Sequence, residues 1–287
     1  MKKAVCIGIN NYPGTSNDLL GCVNDANDWC ELLTEYGFET SVLLDSQATR
    51  QNIKAALEGL VVSAGAGDVI VFTYSGHGTQ AIDISGDETD WYDEALYVYD
   101  GMIVDDELRV IVDQIHPGAA LLVICDSCFS GSVTRYIPER ARARFIPPDW
   151  GYMERGVRQR FLLPESGMPE LLISGCSNSE YSYDADINGR YNGAMTAMAI
   201  RVIRQNPGLT YHEFYTQLRG YLPSSKYPQT PQLEGSDDHK NANLFQPFTY
   251  VPVPDPTPSP EPVPTPEPAS GCVAGLMQQA TRFFKGG

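Results

Sequence analysis

DVIVFTYS (68–75) decides the fold. Its apolar residues run on without alternation, so the strand it predicts is covered on both faces. It ends at Gly76 and Gly78, which bracket His77. AALLVICD (119–126) is a second strand of this kind and leads into Ser127 and Cys128. AVCIGI (4–9), FETSVLL (38–44) and ELLISG (170–175) read as further strands. Helical stretches are predicted between them, from about Asn24 to Tyr36 and from about Thr49 to Val62, where Ile53, Ala56, Leu57 and Leu60 share one face. Apolar strands separated by helices predict an α/β fold with a mostly parallel central sheet and helices on both faces. Ligand sites in such sheets lie beyond the carboxyl ends of the strands. SGHG (75–78) and DSCFSG (126–131) both fall at that kind of position.

The chain has 287 residues, enough for one sizeable core, or a core domain plus a tail. Its apolar share of 42% and charged share of 20% suit a soluble globular protein. A net charge of −16 argues against nucleic acid as a partner, because phosphates would be repelled. Seven scattered cysteines do not form a disulfide framework and suggest reduced thiols in a cytoplasmic setting. Cys125 and Cys128 form a CxxC, but without the second pair that a zinc site requires. The opening MKKAVCIGIN is too short in its apolar part for a signal sequence and reads as a first buried strand. No stretch offers the roughly 18 apolar residues of a membrane span.

The main domain is expected over 1–250. Within it, residues 83–107 hold ten Asp/Glu and no Lys or Arg, and residues 135–160 hold seven arginines, read as a long exposed loop over about 132–168. Thr210 and Glu213 form a capping-box pattern, which makes His212 a surface helix residue. His116 and His239 have no evident chemical context. Residues 251–269 alternate proline with other residues, a polyproline-type spacer that reaches roughly 55–60 Å at 3.1 Å per residue. In the tail, 270–287, Val273, Leu276, Met277, Ala280 and Phe284 fall at helical spacing. That suits either an amphipathic helix docking on a partner, a membrane surface or the parent domain, or a disordered tail with chance periodicity.

A thiol with its usual pKa near 8.5 is mostly protonated at neutral pH, so a catalytic cysteine needs a nearby base and an open approach. His77 and Cys128, both at strand ends and both with glycine neighbours, meet that need. Backbone N–H groups there, including those of Gly78 and Cys128, are candidates for an oxyanion hole. Cys128 follows His77 by 51 residues, close to the caspase spacing, although DSCFSG differs from the caspase signature. Taken singly, Cys128 reads as a buried inert cysteine and His77 as a structural loop histidine; the pairing favours catalysis. A serine nucleophile, Ser127 or Ser130, lacks a GxSxG elbow.

Taken together, these motifs resemble the metacaspases, relatives of the caspases. YSGHG (74–78) and DSCFSG (126–131) resemble their paired catalytic motifs, and GINNYPGTSNDLLGCVNDAND (8–28) their N-terminal segment. GDETDWYDEALYVYDG (86–101) with IVDDEL (103–108) resembles their calcium-binding region. GAMTAM (193–198) and YPQTPQLEG (227–235) resemble later parts of the same domain. The resemblance spans about residues 3–245. It implies a caspase-like three-layer sandwich and a monomeric cysteine peptidase that cuts proteins or peptides after Arg or Lys through a Cys/His dyad. It implies a specificity pocket of Cys22, Asp25, Ser75 and Asp126, calcium bound by Asp93, Asp105 and Asp106, and no organic cofactor. Two carboxylates suit a guanidinium, although Asp25 alone would read as a helix N-terminal charge. Carboxylate oxygens suit calcium, but Arg135 stands near a position where the family often has an aspartate. Family members also cut themselves, and the arginines of 135–160 offer sites, unless that loop only pairs with the acidic stretch. Two other readings stand beside this one: an inactive caspase-fold scaffold that recruits partners through spacer and tail, and a related legumain-like or clostripain-like peptidase with other specificity.

Overall fold

The computed structural model describes residues 1–82, 92–128, 141–147, 165–177 and 180–248, apart from the side chains of Ile82, Tyr92, Asp93 and Glu165. The expected spacer over 251–269 and tail over 270–287 lie outside these residues, as do Arg135, Arg140, Arg155, Arg158 and Arg160.

The described residues form a six-stranded central sheet. Its strands are β1 (Lys2–Gly8), β2 (Glu39–Leu44), β3 (Val69–Ser75), β7 (Ala120–Asp126), β9 (Glu170–Ser174) and β12 (Gln232–Glu234), ordered β12-β9-β7-β3-β1-β2. Every pairing is parallel except β12 with β9. The strand interiors predicted from apolar runs are buried on both sides because successive residues serve two cores. Ala4, Cys6, Val69, Val71, Leu122 and Ile124 face one core with Trp29, Leu32 and Leu33 of α1 (Cys22–Glu35). Val202 and Ile203 of α4 (Ala194–Gln205) and Phe214 of α5 (Tyr211–Leu218) complete that layer. Val5, Ile7, Ile70, Phe72 and Leu121 face the other core, with Ile53, Leu57 and Leu60 of α2 (Arg50–Ser63) and Ile111 and Val112 of α3 (Asp105–Val112). The result is the three-layer α/β sandwich expected of a caspase-like chain. The Thr210–Glu213 capping box also forms, at the start of α5.

Two small antiparallel sheets stand beyond the carboxyl edge. One is β4 (His77–Ile82), β5 (Tyr92–Val98) and β6 (Gly101–Val104). The other is β8 (Ala141–Ala143), β10 (Tyr183–Ile187) and β11 (Arg190–Gly193). A short α6 (Asp237–Lys240) lies near the end of the described chain.

One expectation is corrected here. The arginine-rich stretch 135–160 reads from sequence as part of an exposed loop, yet its described part, 141–147, includes strand β8, and Arg144 is fully buried. The backbone there finds strand edges on both sides, and the guanidinium finds carboxylates.

Gly8 ends β1 where α1 crosses it. A Cβ at Gly8 would stand 2.8 Å from the Cys22 carbonyl carbon, 2.9 Å from Ala26 Cβ, and closer still to the Cys22 oxygen. Backbone cannot move aside as a side chain can. Gly8→Ala is therefore expected to lower stability by about 1–3 kcal/mol, the usual range for overpacking. A urea denaturation midpoint measures it, and an unchanged midpoint would show that α1 can shift freely.

Candidate active site

The carboxyl ends of β3 and β7 are level, with Ser75 opposite Asp126 in register. His77 and Cys128 each follow two residues later, so the topology alone brings them to one place. Cys22 and Asp25 come from the first turn of α1, whose start packs against Gly8 at the end of β1. All six of these residues are buried.

Around Arg144 the structure assembles a pocket. Its Nη2 donates to Asp25 Oδ2 at 2.6 Å and to Asp184 Oδ1 at 3.2 Å. Its Nη1 donates to the Asp126 backbone carbonyl at 3.0 Å and lies 3.3 Å from Asp126 Oδ2. Each carboxylate is anchored by further donors. Asp25 accepts from Asn192 Nδ2 at 2.8 Å and Gly193 N–H at 3.0 Å. Asp126 accepts from the backbone N–H and hydroxyl of Thr196, at 3.0 and 2.8 Å, and from the Ser182 hydroxyl. Asp184 accepts from Leu20 and Gly21 N–H, at 2.7 and 2.8 Å. Burial pushes the Asp25 pKa up to about 6, against the pull of Arg144. Burial likewise holds the Cys22 thiol protonated, well above its usual range. Ser75 is buried at the end of β3. Gly193 forms part of the wall: a Cβ there would sit 2.5 Å from Arg144 Nη1 and closer to Asp126.

The Arg144 backbone is held as firmly as its side chain. Its carbonyl accepts from Gly78 N–H at 2.9 Å and from Cys128 N–H at 3.2 Å. Two N–H groups converging on one peptide oxygen are what an oxyanion hole consists of.

His77 is oriented from several sides. Its backbone N–H donates to the Tyr12 hydroxyl and its carbonyl accepts from the Tyr74 hydroxyl, both at 2.8 Å. Its Nε2 lies 2.6 Å from the Asn17 carbonyl. A carbonyl only accepts, so Nε2 carries the hydrogen and Nδ1 keeps a lone pair. That Nδ1 is buried without a hydrogen-bond partner. Burial pushes the His77 pKa down to about 4, although protonation would let the ring donate to the Asn17 and Arg144 carbonyls. Cys128 Sγ makes its hydrogen bonds with Ser182, accepting from N–H at 2.6 Å and facing the carbonyl at 3.4 Å, and none with His77.

Comparison with known proteins agrees with this geometry. Residues 2–136 match the family described as metacaspase, peptidase C14 domain. Metacaspase-1 of Cryptococcus neoformans is 35% identical over 295 residues, which cover 85% of this chain and 64% of that protein. Metacaspase-1A of Aspergillus fumigatus is 34% identical over 285 residues, covering 82% of this chain and 68% of the relative. The chain belongs to the metacaspase family. It thus spans just under two thirds of the length of the Cryptococcus relative. A Geobacter sulfurreducens protein of known crystal structure superposes with a TM-score of 0.70 at 26% identity, over 86% of this chain and 99% of its own. Caspase-1 of Spodoptera frugiperda shares the fold, with a TM-score of 0.55 at 13% identity over 82% of this chain and 88% of its own.

In this metacaspase, the residues anticipated from sequence as a pocket stand together, but four members were not anticipated: Asp184, Ser182, Asn192 and Gly193. Asp105 and Asp106 open α3. The pairing of Ala95 with Val104 leads the backbone of Asp93 to the same end of the β5–β6 hairpin. The side chain of Asp93 lies outside the description. Among the described residues no set of three or more His, Cys, Asp or Glu is grouped as metal ligands would be.

His77 and Asp25 have opposite effects on stability as pH changes. The folded pKa of His77, about 4, lies below its ordinary 6.5, so stability is lost as pH falls through that window. The folded pKa of Asp25, about 6, lies above its ordinary 3.8, so stability is regained as pH falls from 6 toward 3.8. The destabilisation caused by His77→Gln should therefore shrink between pH 7 and pH 4.5, and that caused by Asp25→Asn should grow. Urea titrations at the two pH values test this, and parallel changes in both variants would contradict it.

Proposed function

We propose that this metacaspase is an endopeptidase that cuts after Arg or Lys, with Cys128 as nucleophile and His77 as acid/base partner. The observation that carries the reading is a peptide arginine already seated beside both residues, its guanidinium against three carboxylates and its carbonyl between two N–H donors. A substrate arginine in that position would have its scissile carbonyl polarised by Gly78 and Cys128. The Cys128 thiol, rotated from Ser182 toward His77, would lose its proton to the free Nδ1 and attack the carbonyl carbon. His77 would return the proton to the leaving amine, then draw one from the water that hydrolyses the thioester.

Asp25, Asp126 and Asp184 are the specificity carboxylates on this reading, with Cys22 and Ser75 lining the pocket. The forked donors of arginine meet these carboxylates at two nitrogens, whereas lysine offers a point charge, so arginine should be preferred. Seven arginines within 135–160 support self-processing of that stretch. The acidic residues Asp93, Asp105 and Asp106 share one hairpin end and would supply hard oxygen ligands to calcium, which would order that hairpin next to His77. The enzyme is taken to act as a monomer, in a compartment reducing enough to keep Cys128 a thiol.

Fluorogenic peptides ending in Arg, Lys, Asp or Asn, with calcium or chelator, test the reading. Arg and Lys peptides should be cut, Arg faster, and Cys128→Ala should be inactive. Asp184→Asn should lower kcat/KM for Arg about tenfold to a hundredfold, the weight of one charged hydrogen bond. Hydrolysis unaffected by chelator would remove calcium from the proposal. A folded wild type that cuts none of the peptides would favour the scaffold reading.

A further inference from the structure

A second thiol stands beside the nucleophile of the proposed reaction. We propose that Cys128 and Cys176 are a modification site: peroxide oxidises Cys128, and Cys176 then closes a reversible disulfide with it. That this bond silences the enzyme rests on the peptidase reading above; that the bond forms does not.

The fold brings the two cysteines together. Strands β7 and β9 are parallel neighbours, with Cys125 opposite Ser174. Gly175 N–H carries the pairing on, donating to the Cys125 carbonyl at 2.9 Å. Counting forward, Cys176 comes level with Ser127, one residue short of Cys128. A step of about 3.3 Å along strands about 4.8 Å apart gives a Cα separation of about 6 Å, inside the roughly 4.4–6.8 Å that a disulfide spans. The Cys176 sulfur lies 3.6 Å from the Ser127 carbonyl, which belongs to the peptide bond of Cys128. Both sulfurs also meet one short segment. Cys176 faces the Glu180 carbonyl at 3.3 Å, and Cys128 the backbone of Ser182, two residues on. The two side chains interact directly: a hydrogen bond with Cys128, and then burial, push the Cys176 thiol well above its usual range. Cys176 has no part in the proposed peptidase steps. A thiol placed against a reactive one, and otherwise unused, is the arrangement of a resolving cysteine.

Cys125 is the other thiol nearby, and its CxxC spacing alone would favour it. Its sulfur, however, pairs with the Ser127 hydroxyl at 3.1 Å, and its side chain belongs to the core formed with α2 and α3.

The chemistry balances with peroxide as the named oxidant. The Cys128 sulfur, its proton taken by His77, attacks one peroxide oxygen. The O–O bond breaks, Cys128 becomes a sulfenic acid, and the other oxygen leaves with that proton as water. The Cys176 sulfur then bonds to the Cys128 sulfur while the S–O bond breaks. The hydroxyl leaves with the Cys176 proton as a second water. Two thiols have lost two electrons, and one peroxide has become two waters. A small dithiol reverses the bond by exchange and is itself oxidised to a disulfide. Cys128 is 0% and Cys176 5% exposed, which favours a reagent as small as hydrogen peroxide over a bulky disulfide. Without Cys176, further peroxide takes the sulfenic acid to sulfinic acid, which thiols do not reverse.

The test treats the full chain with hydrogen peroxide, blocks the remaining thiols and maps the cysteines by mass spectrometry. Hydrolysis of an Arg peptide is followed before and after dithiothreitol. Wild type should carry a Cys128–Cys176 bond, lose activity about tenfold or more, and regain it with dithiothreitol. Cys176→Ala should be as active as wild type before oxidation, form no bond to Cys128, end as the sulfinic acid, and stay inactive after dithiothreitol. Cys125→Ala should behave as wild type. Cys128 joined to Cys125, Cys128 oxidised while Cys176 stays a thiol, or both thiols unchanged by peroxide would overturn the inference. So would a Cys176→Ala enzyme that dithiothreitol restores as fully as wild type. A Cys128–Cys176 bond in a wild type that hydrolyses no Arg peptide would uphold the modification site and sink the peptidase reading instead.

Discussion

Three buried carboxylates converge on one guanidinium, and much of the site is arranged around that imbalance. Asp25, Asp126 and Asp184 come from α1, β7 and β10, three elements remote in sequence. Left unpaired, charges buried in this way are strongly destabilising. Backbone N–H groups of Leu20, Gly21, Gly193 and Thr196 offset part of the charge, and burial still holds the Asp25 pKa up at about 6 against the pull of Arg144. The planar fork of Arg144 meets these carboxylates at two nitrogens, as a guanidinium can and a point charge cannot.

Two of these carboxylates also connect the pocket to His77 and Cys128. Asp184 takes the N–H groups of Leu20 and Gly21, which fixes the loop before α1. That loop carries Asn17, whose carbonyl sets the tautomer of His77. Asp126 takes the Ser182 hydroxyl, and the Ser182 backbone meets both the Cys128 sulfur and the Arg144 N–H. Gln229 steadies this stretch, donating to the Gly175 carbonyl at 2.7 Å and accepting from Tyr183 N–H at 3.1 Å. The pocket, His77 and Cys128 share their supports, so a change to Asp126 reaches the thiol through two hydrogen bonds.

How much of this was legible in the sequence depends on how local each signal is. Strands β3 and β7 were readable because burial on both faces writes itself into seven consecutive positions, and His77 and Cys128 because each stands just past such a strand. Asp25 and Asp126 became legible as a pair only through the family resemblance. Asp184 carried no local sign: in DADI (184–187) it looks like a surface aspartate, and its role depends on an α1 loop more than 160 residues away. Ser182 acts mainly through its backbone, which any residue would supply. Arg144 was visible as one arginine among seven, but its burial depends on strand edges that sequence periodicity does not reveal.

The Arg144 carbonyl and the Cys128 thiol are held by different groups. The pocket and the two N–H donors hold the Arg144 carbonyl whether or not the thiol is turned toward it, because Gly78, Cys128 and Ser182 hold the strand through backbone groups alone. The thiol, by contrast, is held by the Ser182 backbone. On the proposed mechanism, the thiol would have to leave Ser182 before it could meet His77. The hairpin β4–β5–β6 carries His77 at its start and Asp105 just past its end. If calcium is held at that acidic end, as proposed, it would act on His77 through the hairpin without touching substrate.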